Sequence, residues 1–314
     1  MNWFAQAPSN IALIKYMGKS DSQQNLPANS SLSYTLNELT SFVELAAVTS
    51  HNDRWELLEI PGALTFNLDF IAQQRFLQHL AWLKQQFDFR GNFIVRSCNN
   101  FPMATGLASS ASSFAALTIC AVRALTELTG QPEPSHEQIA EWSRHGSGSS
   151  IRSFYQPWAL WTRDSITAVE LPYPTLLHQV IIVSHAEKIV SSREAHQRVI
   201  TSPAYTDRPQ RAEQRLQMLL TSLRKQDWRS SYDIVWDEFN DLHHLFETAS
   251  QPFSYMNDAT QRILAYLKAY WLKKNDGPLI TMDAGPNIHL LYRTDQIETA
   301  AFLKKEFLGK YDVI

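Results

Sequence analysis

The chain has 314 residues, 44% hydrophobic and 19% charged, with a formal net charge of −3. That size and apolar content suit one large domain or two ordinary ones around a sizeable core, and they exclude disordered and fibrous classes. With no long basic run, a nucleic-acid or anionic-membrane surface is not expected.

Residues 1–100 read as strands with one helix. Residues 42–48 and 55–60 are short and β-leaning, residues 68–87 turn to helical apolar spacing, and residues 92–97 form another strand. Residues 109–129 carry an Ala- and Leu-rich helical pattern opened by serines, an N-terminal signature. Strands follow near 158–162, 165–171 and 179–184. Residues 193–244 are helical in spacing, with breaks expected at Pro203 and Pro209. A helix over 258–272, strands at 279–282 and 288–292 and a last helix over 296–307 complete the chain. Strands first and helices later predict an α+β fold with a boundary near residues 170–185.

The N-terminus, Met1 to Gln6, lacks the basic-then-apolar pattern of a signal peptide. No apolar run approaches the ~20 residues of a membrane span. A soluble, cytoplasmic protein is therefore expected. Cys98 and Cys120 are too few for a disulfide framework or a zinc site and read as reduced thiols. Glycine is scarce, 10 residues where average usage gives about 22.

Five segments carry chemistry. Pro102-Met103-Ala104-Thr105-Gly106-Leu107-Ala108-Ser109-Ser110-Ala111-Ser112-Ser113 follows a strand and opens a helix. It offers unpaired amides and a positive dipole end, a phosphate cradle, although a serine-capped buried helix reads equally well. It is not a Walker A loop, since no Gly-Lys-Ser/Thr follows. Gly146-Ser147-Gly148-Ser149-Ser150-Ile151-Arg152-Ser153 joins hydroxyls and amides to an arginine able to grip a carboxylate or phosphate; alone, it reads better as a plain loop. In Asn10-Ile11-Ala12-Leu13-Ile14-Lys15-Tyr16-Met17-Gly18-Lys19, Lys15 sits within an apolar strand. It either faces solvent at an edge or needs an anionic partner inside. Asp283 ends a hydrophobic strand before Gly285-Pro286-Asn287, a charge at a sharp turn that turn chemistry alone also explains. Lys188-Ile189-Val190-Ser191-Ser192-Arg193 is a second potential anion site at a strand-to-helix junction. His243 and His244 are adjacent on a helix, about 100° apart, which disfavours a shared metal site.

Taken together and in this order, the segments resemble the diphosphomevalonate decarboxylase family of the GHMP kinase superfamily. Leu26-Pro27-Ala28-Asn29-Ser30-Ser31-Leu32-Ser33, Asn99-Asn100-Phe101-Pro102 and Thr201-Ser202-Pro203 add to the likeness, which spans nearly the whole chain. The resemblance implies a two-domain GHMP kinase fold: a ribosomal protein S5 domain 2-like N-terminal domain over residues 1–180 that binds ATP, and an α/β-sandwich C-terminal domain over 181–314. It implies a homodimer, and Mg2+ bridging the ATP phosphates with no protein metal ligand assigned. The implied reaction is phosphorylation of the 3-hydroxyl of mevalonate 5-diphosphate, followed by loss of phosphate and CO2 to give isopentenyl diphosphate.

The same resemblance assigns catalysis to Asp283, Lys15 and Arg152, with Arg152 on the substrate carboxylate. It places Asn10, Tyr16, Lys19, Ser147, Gly148, Ser149, Ser192 and Arg193 around the substrate, and Gly106, Leu107, Ala108, Ser109, Ser110 and Ser112 around ATP. Departures fall at Met17, where the family has tryptophan, and at His145, where it has Lys or Arg. Gln156-Pro157 replaces a glycine pair and Ala195-His196 a Gly-Met. Rival readings are a mevalonate 3-kinase, a decarboxylase of the monophosphate, and a non-catalytic metabolite sensor on the same fold. Retention of Asp283, Lys15 and Arg152 argues against the first and last.

Overall fold

The computed structural model describes all residues except 22–23, 65–67, 103–108 and 187. The first strand, β1 (Asn2–Ile14), alternates exposed and buried in its first half, then is buried throughout. It runs antiparallel to the 18-residue β4 (Ser31–Val48), with a register shift beside Pro8, which has no N–H to donate to a ladder. Between them lies a small ribbon of β2 (Lys19–Asp21) and β3 (Leu26–Pro27). With β5 (Arg54–Leu57), β6 (Asn92–Asn99), β7 (Trp158–Trp161) and β8 (Ile166–Ala168), they form a six-stranded sheet ordered β5-β6-β4-β7-β8, with β1 on β4.

The helices α1 (Phe70–Gln86), α2 (Ser109–Thr129) and α3 (His136–Gly146) accompany this sheet. Val43, Leu45, Phe93 and Val95 pack with Leu80 and Leu83 of α1 and with Leu117, Ala121 and Leu125 of α2. The α2 bounds match the sequence expectation. In length and composition α2 does reach what a membrane span needs, contrary to that expectation, but 72% of its apolar window is buried inside the protein. The sequence reading contained no α3. It spans only 11 residues of mostly polar sequence, so its amphipathic face, with Ala140 buried and Ile139 and Trp142 half-buried against the core, is too short to stand out, and Ser135 capping Gln138 N at 3.2 Å marks its start.

A second, antiparallel sheet orders β10 (Leu279–Thr281), β11 (Ile288–Arg293), β9 (Leu176–Ile182) and β12 (Asp312–Val313). Its helices are α4 (Ser192–Arg198), α5 (Arg208–Arg224), α6 (Trp228–Thr248), α7 (Asp258–Lys274) and α8 (Ile297–Phe307). Pro209 does not break a helix but sits in the first turn of α5, where its missing N–H costs nothing. The chain does break at Pro203, which opens a 3-10 turn between α4 and α5, and it breaks again between α5 and α6, where Gln226 takes φ 58°.

One hydrophobic core joins the sheets. Ile11, Leu13 and Leu32 pack in the same cluster as Val180 and Ile181 of β9, Leu216 of α5, and Val235 and Phe239 of α6. The fold is α+β as expected, and this shared core brings the end of β1 to the turn after β10.

Candidate active site

The strand β1 ends at Ile14, so Lys15 lies one residue past the strand in which it was expected. It is only 2% exposed, and its ammonium Nζ is 2.7 Å from Oδ1 of Asp283. Burial lowers the lysine pKa while Asp283 and Glu238 pull it back up. Burial also acts on Asp283, but Lys15, His289 and Arg152 outweigh it and hold the carboxylate below its ordinary range. The Asp283 side chain remains 23% exposed, so this carboxylate is paired on one side and open on the other.

Both partners are fixed through their backbones. Lys15 N–H donates to Glu238 Oε1 at 2.9 Å, and Lys15 carbonyl accepts from Asn29 Nδ2 at 2.9 Å. The Asp283 turn closes with Gly285 N–H on the Asp283 carbonyl at 2.8 Å. Asn287 Oδ1 then accepts from Val183 N at 2.7 Å and Ser184 N at 3.2 Å, tying the turn to the end of β9.

Arg152 projects from a short 3-10 turn, Gly148–Phe154, and is 4% exposed. Its Nε donates to Asn10 Oδ1 at 3.0 Å and its Nη1 to Ser31 Oγ at 3.4 Å. Asn10 is held in turn by Ser153 Oγ at 2.9 Å. These neutral acceptors orient the guanidinium without neutralising it. Among the described residues Arg152 makes no salt bridge, and a buried cation so placed is poised for an incoming anion.

Lys19, Arg193 and Arg75 extend the positive field. Burial lowers the Lys19 pKa, and Arg193 and Arg75 lower it further. Burial likewise lowers that of Arg75, again with Arg193 adding to it, so the three cations share one region. Lys19 Nζ is held by Asn25 Oδ1 at 2.6 Å, and Arg75 Nη2 donates to the Gly146 carbonyl at 3.2 Å. Lys188 reaches Ser192 Oγ at 3.3 Å, and burial lowers it to about 8 although Asp283 pulls it up. Among the described residues none of these four cations has a salt-bridge partner. Arg75 and Lys188 carried no role in the sequence reading: an arginine on an amphipathic helix looks like a solvated charge, and Lys188 stood in a segment noticed for its serines.

Tyr16 lies between Trp161 and His196, with ring centroids 4.8 and 4.6 Å away, and its hydroxyl donates to the Asn25 carbonyl at 3.2 Å. His196, one of the departures, accepts from Gly18 N–H through Nδ1 at 3.0 Å. Gly18 has φ 87°, and any Cβ there would stand 1.9 Å from the Tyr205 hydroxyl. Gly148 is confined by space alone, since a Cβ would lie 2.7 Å from Tyr16 OH. His145, another departure, stacks on Trp82 at 4.1 Å.

Ser147 Oγ is 3.4 Å from Ser149 Oγ and 3.5 Å from Ser110 Oγ, so the Gly-Ser turn meets the start of α2. Ser110 is exposed and Ser109 half-buried at that helix end. Ser112 is instead turned inward, bonded to Ser41 Oγ at 2.7 Å, which makes it a support of the helix start. Gly106, Leu107 and Ala108 lie outside the described residues.

The comparisons agree in kind. The family model of the diphosphomevalonate decarboxylase-like N-terminal domain matches residues 7–168, and that of the mevalonate 5-diphosphate decarboxylase C-terminal domain matches 179–313. A diphosphomevalonate decarboxylase of Debaryomyces hansenii is 31% identical, over 93% of this chain and 79% of that protein. A solved mevalonate diphosphate decarboxylase from Legionella pneumophila is 56% identical over the full length of both chains, with a TM-score of 0.94. A solved complex with MVAPP, AMPPCP and magnesium is 29% identical over 100% of this chain and 96% of the other, with a TM-score of 0.85.

Proposed function

The chain belongs to the diphosphomevalonate decarboxylase family, and from that premise we propose that it converts mevalonate 5-diphosphate and ATP to isopentenyl diphosphate, CO2, ADP and phosphate. The observation that carries this reading is a partly open carboxylate, Asp283, paired with a buried lysine beside a buried arginine that has no salt-bridge partner among the described residues.

Asp283 orients the 3-hydroxyl of the substrate and takes its proton as that oxygen attacks the γ-phosphorus of ATP. Lys15 keeps Asp283 ionised at neutral pH and faces the charge that develops on the oxygen. Arg152 holds the substrate carboxylate in a two-pronged grip, with Asn10 fixing the arginine plane. The C3–O bond then breaks toward phosphate while the bond between the carboxylate carbon and C2 supplies the electron pair of the new double bond, releasing CO2. A tertiary C3 tolerates the positive character that builds up when C–O cleavage leads.

Lys19, Arg75 and Arg193, whose shared positive field supports this reading, take the diphosphate, with Tyr16, Ser147, Gly148, Ser149 and Ser192 as its polar surroundings. Ser109 and Ser110 at the start of α2, with Gly106, Leu107 and Ala108 before them and Ser112 behind them, take the ATP phosphates. The oxygen donors Ser110 and Ser147 suit Mg2+, which screens phosphate charge when bound. The same reading carries an N-terminal part over 1–180, a C-terminal part over 181–314, and a cytoplasmic homodimer, whose mass light scattering reads directly.

Turnover measured with mevalonate 5-diphosphate, mevalonate 5-phosphate and mevalonate at equal concentrations tests the assignment. Preference for the diphosphate supports it. Preference for the monophosphate makes the chain a sibling decarboxylase and removes the diphosphate role of the Lys19 region.

A further inference from the structure

Behind the centre lies an ion-pair cluster that the chemistry above does not use. On α5, Arg208, Arg211 and Arg215 are spaced to share one helix face, and on α6 Glu238 and Asp241 do the same. Arg208 and Glu238 are each fully buried. Arg208 Nη1 donates to Glu238 Oε2 at 3.0 Å, and its Nη2 bonds Glu238 Oε1. Arg215 adds a bond to Glu238 Oε2 at 3.1 Å, and Arg211 and Arg215 bind Asp241 at 2.8 Å each.

Such a pair is a poor source of stability, because desolvation consumes most of its attraction and an apolar pair of similar size often serves as well. What an apolar pair lacks is an acceptor. Glu238 Oε1 takes the Lys15 backbone N–H at 2.9 Å, across 223 residues of sequence, and Arg208 Nη2 reaches the Lys15 carbonyl at 3.5 Å. Lys15 has just left β1, so no strand partner serves that N–H. Its side chain meanwhile is held by Asp283, from the turn between β10 and β11.

We propose that Glu238, locked by Arg208, is a positioning residue for the reaction: it fixes the backbone of Lys15 so that the ammonium meets Asp283 in the reactive geometry. The proposal rests on the role given above to the Lys15–Asp283 pair. Displacing a catalytic group by about 1 Å can cost up to ~100-fold in rate, so loss of this anchor lowers kcat without touching substrate contacts.

The test compares Arg208→Met/Glu238→Leu, which removes charge and acceptor together, with Arg208→Met/Glu238→Gln, which keeps a neutral acceptor for Lys15 N–H. Arg211 and Arg215 still neutralise Asp241 in both. The Leu double variant is expected to fold with kcat reduced ~10-fold or more and both KM values within about twofold, while the Gln double variant regains most of the loss. Glu238→Asp keeps the charge but withdraws the carboxylate from Lys15. It should lose kcat in the same way, and it carries the test if the apolar pair does not fold. A folded Leu variant with wild-type kcat, or Leu and Gln variants equally impaired, or a fully active Glu238→Asp enzyme overturns the proposal. Lys15→Ala run alongside separates the two ideas: if it retains turnover the reading of the centre fails, and if it is inactive while the Glu238 variants are normal only this inference does.

Discussion

Lys15 Nζ and Asp283 Oδ1 stand 2.7 Å apart across 268 residues of sequence, and only the aspartate keeps an open side. This asymmetry suits a base that is kept ionised from behind and meets its proton donor in front. Asp283→Ala is expected to lower kcat by ~100-fold or more while ATP affinity stays within a few-fold. Single-turnover kinetics and calorimetric ATP titration check it; near-normal CO2 release would remove Asp283 from the chemistry.

Arg152 is buried, oriented by Asn10 and Ser31, and not neutralised among the described residues. Arg152→Gln keeps some of those hydrogen bonds but loses the charge. The expected outcome is a fall of ~100-fold or more in kcat/KM for mevalonate 5-diphosphate, with the KM for ATP little changed. Equal damage to both substrates would point to a structural role instead.

Arg75 shares its field with Lys19 and Arg193 and supports the Gly146 carbonyl. Arg75→Gln should raise the KM for the diphosphate by ~10-fold, an effect that shrinks as salt screens the wild-type cluster. Initial-rate measurements at low and high ionic strength read this directly.

Several histidines are held neutral by burial. His79, His196 and His243 are each lowered to about 3, and His178 well below its ordinary value. The unfolded chain takes up protons at these sites near pH 6.5, whereas the folded chain resists until far lower pH. The unfolded state therefore binds more protons, and stability falls as pH drops from about 6.5 toward 4. Thermal melts across that range should show a steep loss of Tm. His79→Leu, which leaves the site untouched, should make it shallower; an unchanged slope would exclude this linkage.

Much of the fold and of the site is legible in the sequence. The bounds of α2 follow from apolar spacing between the serines at 109 and Gly130, and the five chemical segments lie in strong local patterns. What pairs with Lys15 was not legible from spacing, because the contact is made by the fold and only family likeness pointed to Asp283. The three arginines of α5 and the acids of α6 look like solvated helix faces in one dimension. They become a buried cluster only because the two faces meet. Arg75 escaped for the same reason, and α3 because its amphipathic face spans only 11 residues of mostly polar sequence.

Phosphoryl transfer and decarboxylation are one coupled event at the Asp283 centre. The direct measurement follows ADP and labelled CO2 together, from ATP and mevalonate 5-diphosphate labelled in its carboxylate. One CO2 for each ADP is expected with the unaltered protein, and neither product with Asp283→Ala. ADP without CO2 from the unaltered protein, or CO2 release that does not require ATP, would contradict it.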